Sequence, residues 1–281
     1  MNAKGGIQMR ASPLRAAKVS HNLAYHEITR AKPLYLYSVS IAQFEEHVSR
    51  VARLNACEEL PGEAIRVTFD DGHVSQFEQG LPVLEQCSVK AMFFVTAGWM
   101  GRRAGYMSWP QVAKLSALGH EVQSHGWSHA FLTRCSNQEL ACELRQSKIE
   151  IENQLGKSVD AISVPGGRWD PRVLEACSYA GYRRVFLSDP WILPRTWSGL
   201  QVEGRWMITH QMSAERIATL LEGEGMGLRL LRARSFAKNA AQRILGDNAY
   251  QYLWNKLARK QDSLELAKED GRAAGVQSSP D

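Results

Sequence analysis

Apolar positions along the chain follow two alternating patterns. Compact apolar runs such as Ala64–Phe69 have the length and composition of buried strands. Segments such as Ser40–Leu54 place apolar residues at the spacing of one helix face. This alternation predicts βα units around a parallel sheet or barrel. The predicted strands are Leu23–Ile28, Ala64–Phe69, Lys90–Thr96, His120–Ser124, Ala161–Val164, Arg183–Leu187 and Trp206–Thr209, and the predicted helices are Ser40–Leu54, Ser75–Gln86, Trp109–Ala117, Ser136–Leu155, Pro171–Ala180 and Ser213–Glu222.

Composition narrows the class of protein. The chain has 281 residues, of which 44% are hydrophobic and 22% charged, so it can bury a sizeable core as one main domain. Its five cysteines are an odd number without a Cys-x-x-Cys pair, which argues against a disulfide framework or a cysteine zinc site. Met1–Ser12 lacks an apolar signal region and no apolar run reaches the length of a membrane span. We therefore expect a cytoplasmic location.

Charge is unevenly distributed and suggests where the domain ends. Between Met226 and Lys260 there are eight basic residues and one acid, with apolar residues interspersed as in amphipathic helices. Either this segment packs on the domain, or it contacts an anionic membrane surface peripherally. No nucleic-acid-binding motif occurs, so nucleic acid is not expected as a partner. The predicted organisation is an N-terminal arm (1–19), a barrel (20–225), a basic amphipathic helical segment (226–260) and a disordered tail (261–281).

Three polar clusters come directly after predicted strands. They are Asp70-Asp71-Gly72, the pair His125 and His129, and Pro165–Gly167. Because the carboxyl ends of parallel strands converge on one face, these clusters are expected to meet. Alone, each has an ordinary interpretation as a turn, a capping histidine or a loop.

Together the clusters have the composition of an open metal site. Two imidazoles four residues apart and one carboxylate can bind one divalent ion and leave positions for water and substrate. Neighbouring side chains of an extended segment point in opposite directions. Asp70 and Asp71 are therefore expected to have different roles, one binding the metal and the other facing the water.

The residues around these clusters resemble a known family. Thr68–Gly72, Lys90–Val95, Gly119–Val122 and Ser124–His129 are similar, in order and spacing, to the polysaccharide deacetylase family, also called the NodB-homology or carbohydrate esterase family 4 domain. The resemblance extends over about Leu23–Asp189. It implies an α/β fold, a distorted (β/α) barrel of seven strands, here with a C-terminal helical extension. It also implies hydrolysis of an N-acetyl group on a sugar.

The resemblance further implies roles for individual residues. Asp70 would be the catalytic base, and Gly166 would offer its backbone N–H to the oxyanion. His210, on a late strand, would be the general acid. Ser163 stands where many relatives carry an arginine that orients the base. His26 lies in a Tyr-His strand similar to one found in a branch of the family, and it is interpreted either as a packed histidine or as one that contacts the residues of the site. The metal ligands would be Asp71, His125 and His129. Apart from the resemblance, Pro165, Gly167, Trp127 and His73 are expected to bind substrate because they lie in or directly beside the three loops of the site.

The expected function is that of a metal-dependent carbohydrate N-deacetylase. Its cofactor would be a divalent metal, most often Zn²⁺, with Co²⁺, Ni²⁺ or Mn²⁺ as alternatives. Its substrate would be an N-acetylated sugar or glycan, which is polymeric, a glycan precursor or lipid-linked. Two other functions stay open: hydrolysis of a non-sugar amide or cyclic imide, and an inactive carbohydrate-binding barrel.

Overall fold

Parallel strands, side by side in nearly the order of the sequence, form the centre of the structure. The computed structural model describes residues 21–56, 64–192 and 194–222. Its strands are β1 (Asn22–Tyr25), β2 (Glu27–Thr29), β3 (Ser38–Ser40), β4 (Arg66–Phe69), β5 (Ala91–Val95), β6 (Glu121–Ser124), β7 (Ala161–Ser163), β8 (Arg184–Leu187), β9 (Arg195–Trp197), β10 (Leu200–Gly204) and β11 (Trp206–Met207). Its α-helices are α1 (Ile41–Ala56), α2 (Leu81–Gln86), α3 (Trp109–Ala117), α4 (Asn137–Leu155), α5 (Pro171–Tyr179) and α6 (Ala214–Glu222).

The strand order closes the sheet on itself. Strands β1, β4, β5, β6, β7, β8 and β10 follow one another as parallel neighbours. Only Arg205 separates β10 from β11, yet β11 pairs in parallel with β1 at the other end of the sheet. The two ends must therefore lie side by side, and β10 with β11 acts as one bent strand. This confirms the distorted, seven-stranded (β/α) barrel.

The helices begin and end where the sequence places capping residues. Ser136 and Glu139 form a reciprocal capping box at the start of α4, and Gly156 ends that helix with a φ of 63°. Asp170 caps α5 by accepting a hydrogen bond from the Val173 N–H at 2.8 Å. These local signals fix the helix ends and so set the lengths of the loops that reach the site.

The predicted strand Leu23–Ile28 is two strands in the structure. The chain leaves the barrel sheet after Tyr25, and β2 pairs instead with β3 in a small second sheet. His26 lies between β1 and β2, at the carboxyl end of a barrel strand. The predicted helix Ser75–Gln86 similarly begins with a π-helical turn, Gln76–Gly80, before α2.

Other predictions fall on residues that the structure does not describe. The arm 1–19, the basic segment 226–260, the tail 261–281 and the C-terminal helical extension lie outside the described residues. Within 21–56, 64–192 and 194–222, none of the helices has both the length and the apolar character needed to cross a bilayer.

Candidate functional site

Two adjacent aspartates in the loop after β4 point into different surroundings. Asp71 has a φ of 74° and Gly72 a φ of 84°, both in the left-handed region. The φ of Gly72 is one that residues with a Cβ rarely adopt, so this turn favours glycine. Asp70 is 2% exposed, whereas the side chain of Asp71 is 23% exposed. The turn therefore buries one carboxylate and leaves the other partly accessible.

The loop after β6 supplies both imidazoles. The backbone N–H of His125 donates to the Val95 carbonyl at 2.8 Å, and its Nδ1 lies 2.8 Å from the Ser163 carbonyl oxygen. Because a carbonyl can only accept, Nδ1 carries the proton and the lone pair sits on Nε2. His129 has a φ of 63°, and its ring stacks on Trp99 with centroids 5.3 Å apart. These contacts fix the orientation of both imidazole rings.

Glu143, on α4, fixes the turn between the two histidines. Its carboxylate accepts hydrogen bonds from the N–H of Trp127 at 3.0 Å, the N–H of Ser128 at 2.9 Å and the Ser128 hydroxyl at 2.5 Å. The sequence did not single out this residue, because a glutamate within a polar helix carries no local signal. Its contacts hold His125 and His129 in the conformation that brings them together.

Asp71, His125 and His129 converge on one point. The Oδ1 atom of Asp71 lies 3.3 Å from Nε2 of His125 and 3.3 Å from Nε2 of His129. The three candidate ligand atoms all lie within 4.8 Å of one another. Oδ1 is buried and has no hydrogen-bond partner among the described residues. Two imidazoles and one carboxylate around an unpartnered oxygen fit a divalent metal with an open coordination position.

The pKa values of the two imidazoles are shifted in opposite directions. Burial and the neighbouring His125 lower the pKa of His129 to about 4, so its ring is neutral near pH 7. Burial lowers the pKa of His125 too, but the charges of Asp70 and Asp71 outweigh this and raise it. The raised pKa of His125 favours a proton on Nε2, and a bound cation would take the place of that proton, as metal binding commonly does.

Arg205 is the principal partner of Asp70. Its Nη1 donates to Oδ1 and its Nη2 to Oδ2 of Asp70, both at 2.7 Å. The Ser163 hydroxyl donates to Oδ2 at 3.1 Å, and Nη1 of Arg205 reaches the Thr68 hydroxyl oxygen at 3.1 Å. The guanidinium carbon also lies 5.2 Å from the ring centroid of Phe94. This bidentate, fully buried geometry fixes the orientation of the carboxylate.

Arg205 thus comes from the bent strand β10–β11, whereas Ser163 is the last residue of β7. Burial raises the pKa of Asp70, but the positive charges of Arg205 and His125 and the Arg205 hydrogen bonds outweigh this effect. The pKa is held well below the ordinary range of an aspartate. Asp70 is therefore ionised at neutral pH although it is buried.

His26 lies beside the carboxylates, and its interpretation as a packed histidine or as one that contacts the residues of the site stays a prediction. The charges of Asp71 and Asp70 act on its pKa, although burial has the larger effect and lowers it. Its Nδ1 is buried without a hydrogen-bond partner among the described residues. Its ring centroid lies 5.1 Å from that of Tyr37, and its carbonyl accepts a hydrogen bond from Gln76. Had the sequence predicted that β1 ends at Tyr25, His26 would have been expected at the carboxyl end of a barrel strand, where the site lies.

His210 contacts a different part of the chain. Its Nδ1 lies 3.4 Å from the Tyr35 carbonyl oxygen, and its N–H donates to the Leu36 carbonyl at 3.3 Å. Its own carbonyl accepts from the Gln43 side chain at 2.9 Å. These contacts tie His210 to the segment between β2 and α1. Its assignment as general acid stays a prediction, and His26 is a competing candidate.

The loop predicted to supply the oxyanion N–H follows β7 as a single 3₁₀ turn, Pro165–Gly167. Gly166 has a φ of 63°, and a Cβ there would lie 2.5 Å from the ring of Phe131. A side chain at this position would push the turn away from its neighbour. Pro165 lies close to Gly126, the residue after His125, so the turn borders the candidate metal centre.

The remaining predicted substrate-binding residues lie in the loops around the site. The guanidinium of Arg102 lies 5.4 Å from the Trp127 ring centroid. His73 contacts the Ser75 hydroxyl at 2.8 Å through Nδ1, and its Nε2 lies 3.2 Å from a carboxylate oxygen of Glu27. Their roles in substrate binding stay predictions.

Comparison with known sequences identifies the matched part of the chain. The sequence profile of the polysaccharide deacetylase family matches residues 58–185. YxkH of Bacillus subtilis (strain 168) is 25% identical over 158 residues, which are 56% of this chain and 56% of YxkH. The chitooligosaccharide deacetylase of Sinorhizobium fredii is 31% identical over 138 residues, 48% of this chain and 60% of that enzyme. The chain thus spans little more than half the length of these relatives.

Solved structures show the same fold. The Streptococcus pyogenes deacetylase PplD, solved in complex with acetate, aligns with a TM-score of 0.62 at 22% identity, over 73% of this chain and 99% of PplD. IcaB from Ammonifex degensii aligns with a TM-score of 0.61 at 23% identity, over 70% of this chain and 94% of IcaB. These structures show the fold, and the sequence profile with the sequence relatives shows the family: residues 58–185 of the chain belong to the polysaccharide deacetylase family.

Proposed function

We propose that this protein is a metal-dependent hydrolase that removes the N-acetyl group from an amino sugar. The observation that carries the proposal is the convergence of Asp71, His125 and His129 on a buried, unpartnered oxygen, directly beside an ionised Asp70. Relatives named as chitooligosaccharide and peptidoglycan-N-acetylglucosamine deacetylases support an amino sugar as the substrate. Zn²⁺ suits this donor set, as do Co²⁺, Ni²⁺ and Mn²⁺.

Each residue then has a separate role in the hydrolysis. Asp70 takes a proton from the attacking water, and Arg205 holds its carboxylate in place. The N–H of Gly166 stabilises the oxyanion that forms when water adds to the acetamide carbon. When bound, the metal supplies positive charge that polarises the carbonyl and makes water more acidic.

The nitrogen leaves as an amine and needs a proton. The charges of both aspartates act on the pKa of His26, and its buried Nδ1 has no hydrogen-bond partner among the described residues. We assign it as the donor to the leaving nitrogen when the carbon–nitrogen bond breaks. Because burial lowers the pKa of His26, its neutral ring first takes up the proton that Asp70 has collected and then gives it to the nitrogen, so the two transfers balance.

Metal titration tests the first part of the proposal. Chelator-treated protein is expected to bind one Zn²⁺ per chain by isothermal titration calorimetry. Asp71→Asn should weaken binding by about 100-fold or more, because even outer partners of metal ligands contribute 10–100-fold. The control is Asp160→Asn, which removes a carboxylate paired with Arg184 away from the cluster. Equal affinities of the two variants, or no stoichiometric binding, would contradict the metal assignment.

The proton donor can be tested by two matched histidine variants. His26→Gln is expected to lower the kcat for acetate release by about 10²-fold or more, since general acids contribute that much. His210→Gln should change kcat far less, because its contacts are to the backbone of residues 35 and 36. Acetate release from N-acetylglucosamine oligomers is the measurement. The reverse ranking would return the donor role to His210.

A further inference from the structure

An exposed apolar tip lies on the segment between β2 and β3, here called the 30–37 loop (residues 30–37). Leu34 is 85% exposed and Tyr35 52% exposed. They are two of the four large hydrophobic residues exposed in the described part of the chain, and the other two, Ile149 and Tyr179, lie on α4 and α5. Two such side chains side by side on one loop are costly in water unless they have a partner.

The 30–37 loop borders the candidate active site. The ring centroid of Tyr35 lies 5.6 Å from that of Tyr37, and the Tyr37 ring lies 5.1 Å from that of His26. The backbone carbonyls of His26 and Asp70 in turn accept hydrogen bonds from the same Gln76 side-chain amide, at 2.7 Å and 2.5 Å. A short series of aromatic rings therefore connects the apolar tip to the catalytic carboxylates. A surface that binds Leu34 would therefore lie next to the candidate active site.

The surroundings of the tip are positively charged. Arg30 and Lys32 are exposed on the loop, and residues 28–37 contain no acidic residue. The neighbouring acid, Glu27, is hydrogen-bonded with Ser38 and lies 3.2 Å from His73. An exposed aliphatic side chain flanked by cations and an amphipathic tyrosine is the composition of a segment that enters an anionic lipid interface.

We propose that the 30–37 loop docks on an anionic lipid surface, with Leu34 inserted between the acyl chains and the exposed Arg30 at the head groups. Leu34 offers neither a ring face nor a hydrogen bond to a soluble glycan, whereas acyl chains bury it fully. Docking sets the active-site entrance against the head groups. In combination with the proposed function, the substrate is then an N-acetylated amino sugar carried on a lipid.

Vesicle co-sedimentation of the full chain tests the docking directly. Mixed phosphatidylcholine and phosphatidylglycerol vesicles should bind the protein more tightly than phosphatidylcholine alone. Leu34→Ser should weaken the partition by about tenfold or more, the loss expected for one buried leucine. Ile149→Ser, at a site 55% exposed on α4, is the matched control and should leave the partition unchanged. Identical binding of both variants, or no binding of the unmodified chain, overturns the proposal.

A second measurement separates the lipid surface from a soluble glycan and from failure of the enzyme assignment. Leu34→Ser should lower kcat/KM on a lipid-linked N-acetylamino sugar in vesicles but not on soluble N-acetylglucosamine oligomers. A rise of KM on the soluble oligomers without any change in vesicle binding makes the loop a glycan contact and overturns the lipid proposal. Vesicle binding that depends on Leu34, with no acetate release from any substrate, sustains the docking and refutes the proposed function alone.

Discussion

Asp70→Asn is expected to lower the kcat for acetate release by about 10²–10⁴-fold, the usual contribution of a general base. Asparagine has the size of aspartate and keeps an oxygen that can accept from Arg205, but it cannot take a proton from water. Asp70 is 2% exposed and is not part of the Asp71, His125 and His129 cluster. The variant should therefore bind metal with the affinity of the unmodified protein. Acetate release at saturating metal, with a parallel metal titration, measures both effects.

Asp71→Asn is the matched comparison, because the same chemical change is made one residue along the chain. Its Oδ1 atom is the oxygen that lies 3.3 Å from both imidazoles, so its main effect should be on metal affinity. The two variants thus separate the two roles assigned to the adjacent aspartates. Retention of most of the kcat in folded Asp70→Asn would exclude Asp70 as the base, whatever its metal affinity.

The sequence alone predicted those parts of the site that directly follow a strand of a βα unit. Asp70 and Asp71 follow a buried strand and the two histidines share one loop, so the alternation of strands and helices already predicted that they meet. In the structure the candidate ligand atoms do lie within 4.8 Å of one another. The barrel was predictable for the same reason, since each βα unit carries its own pattern of apolar residues.

The contacts between distant segments were not predictable in this way. Arg205 is 135 residues from Asp70 along the chain and interrupts a short apolar segment, where a cation normally points to solvent. The sequence therefore left Ser163 as an unexplained replacement for an arginine. The structure instead places both Ser163 and Arg205 on the same carboxylate.

The sequence did not assign His26 a catalytic role, for a related reason. The run Leu23–Ile28 reads as one continuous strand, and a histidine inside a strand is more often packed than reactive. Only the pairing of β2 with β3, and not with the barrel, shows that β1 ends at Tyr25. Strand ends depend on which partner a segment pairs with, and that partner is a property of the whole fold.

Arg205→Met is expected to cost about 3–5 kcal/mol of unfolding free energy, the usual result when one member of a buried ion pair is removed. Asp70 would remain buried without its cation, and the double variant Arg205→Met with Asp70→Asn should recover part of the loss. Arg184→Met is the control, because Arg184 pairs with Glu121 and Asp160 nearer the surface. Such exposed pairs contribute about 0–1 kcal/mol. Urea unfolding of these three variants and of the unmodified protein measures the differences.

The pH dependence of activity distinguishes a role in holding the base from a role in stability alone. Arg205 is a main cause of the low pKa of Asp70, against the raising effect of burial. Without it the pKa rises, the base becomes ionised only at higher pH, and the acidic limb of the kcat profile should move upward. The more conservative Arg205→Lys keeps a positive charge but cannot donate two parallel hydrogen bonds. Its acidic limb should therefore lie between those of the unmodified protein and Arg205→Met. An acidic limb that stays in place in folded Arg205→Met would mean that Asp70 titrates independently of Arg205, or that another group is the base.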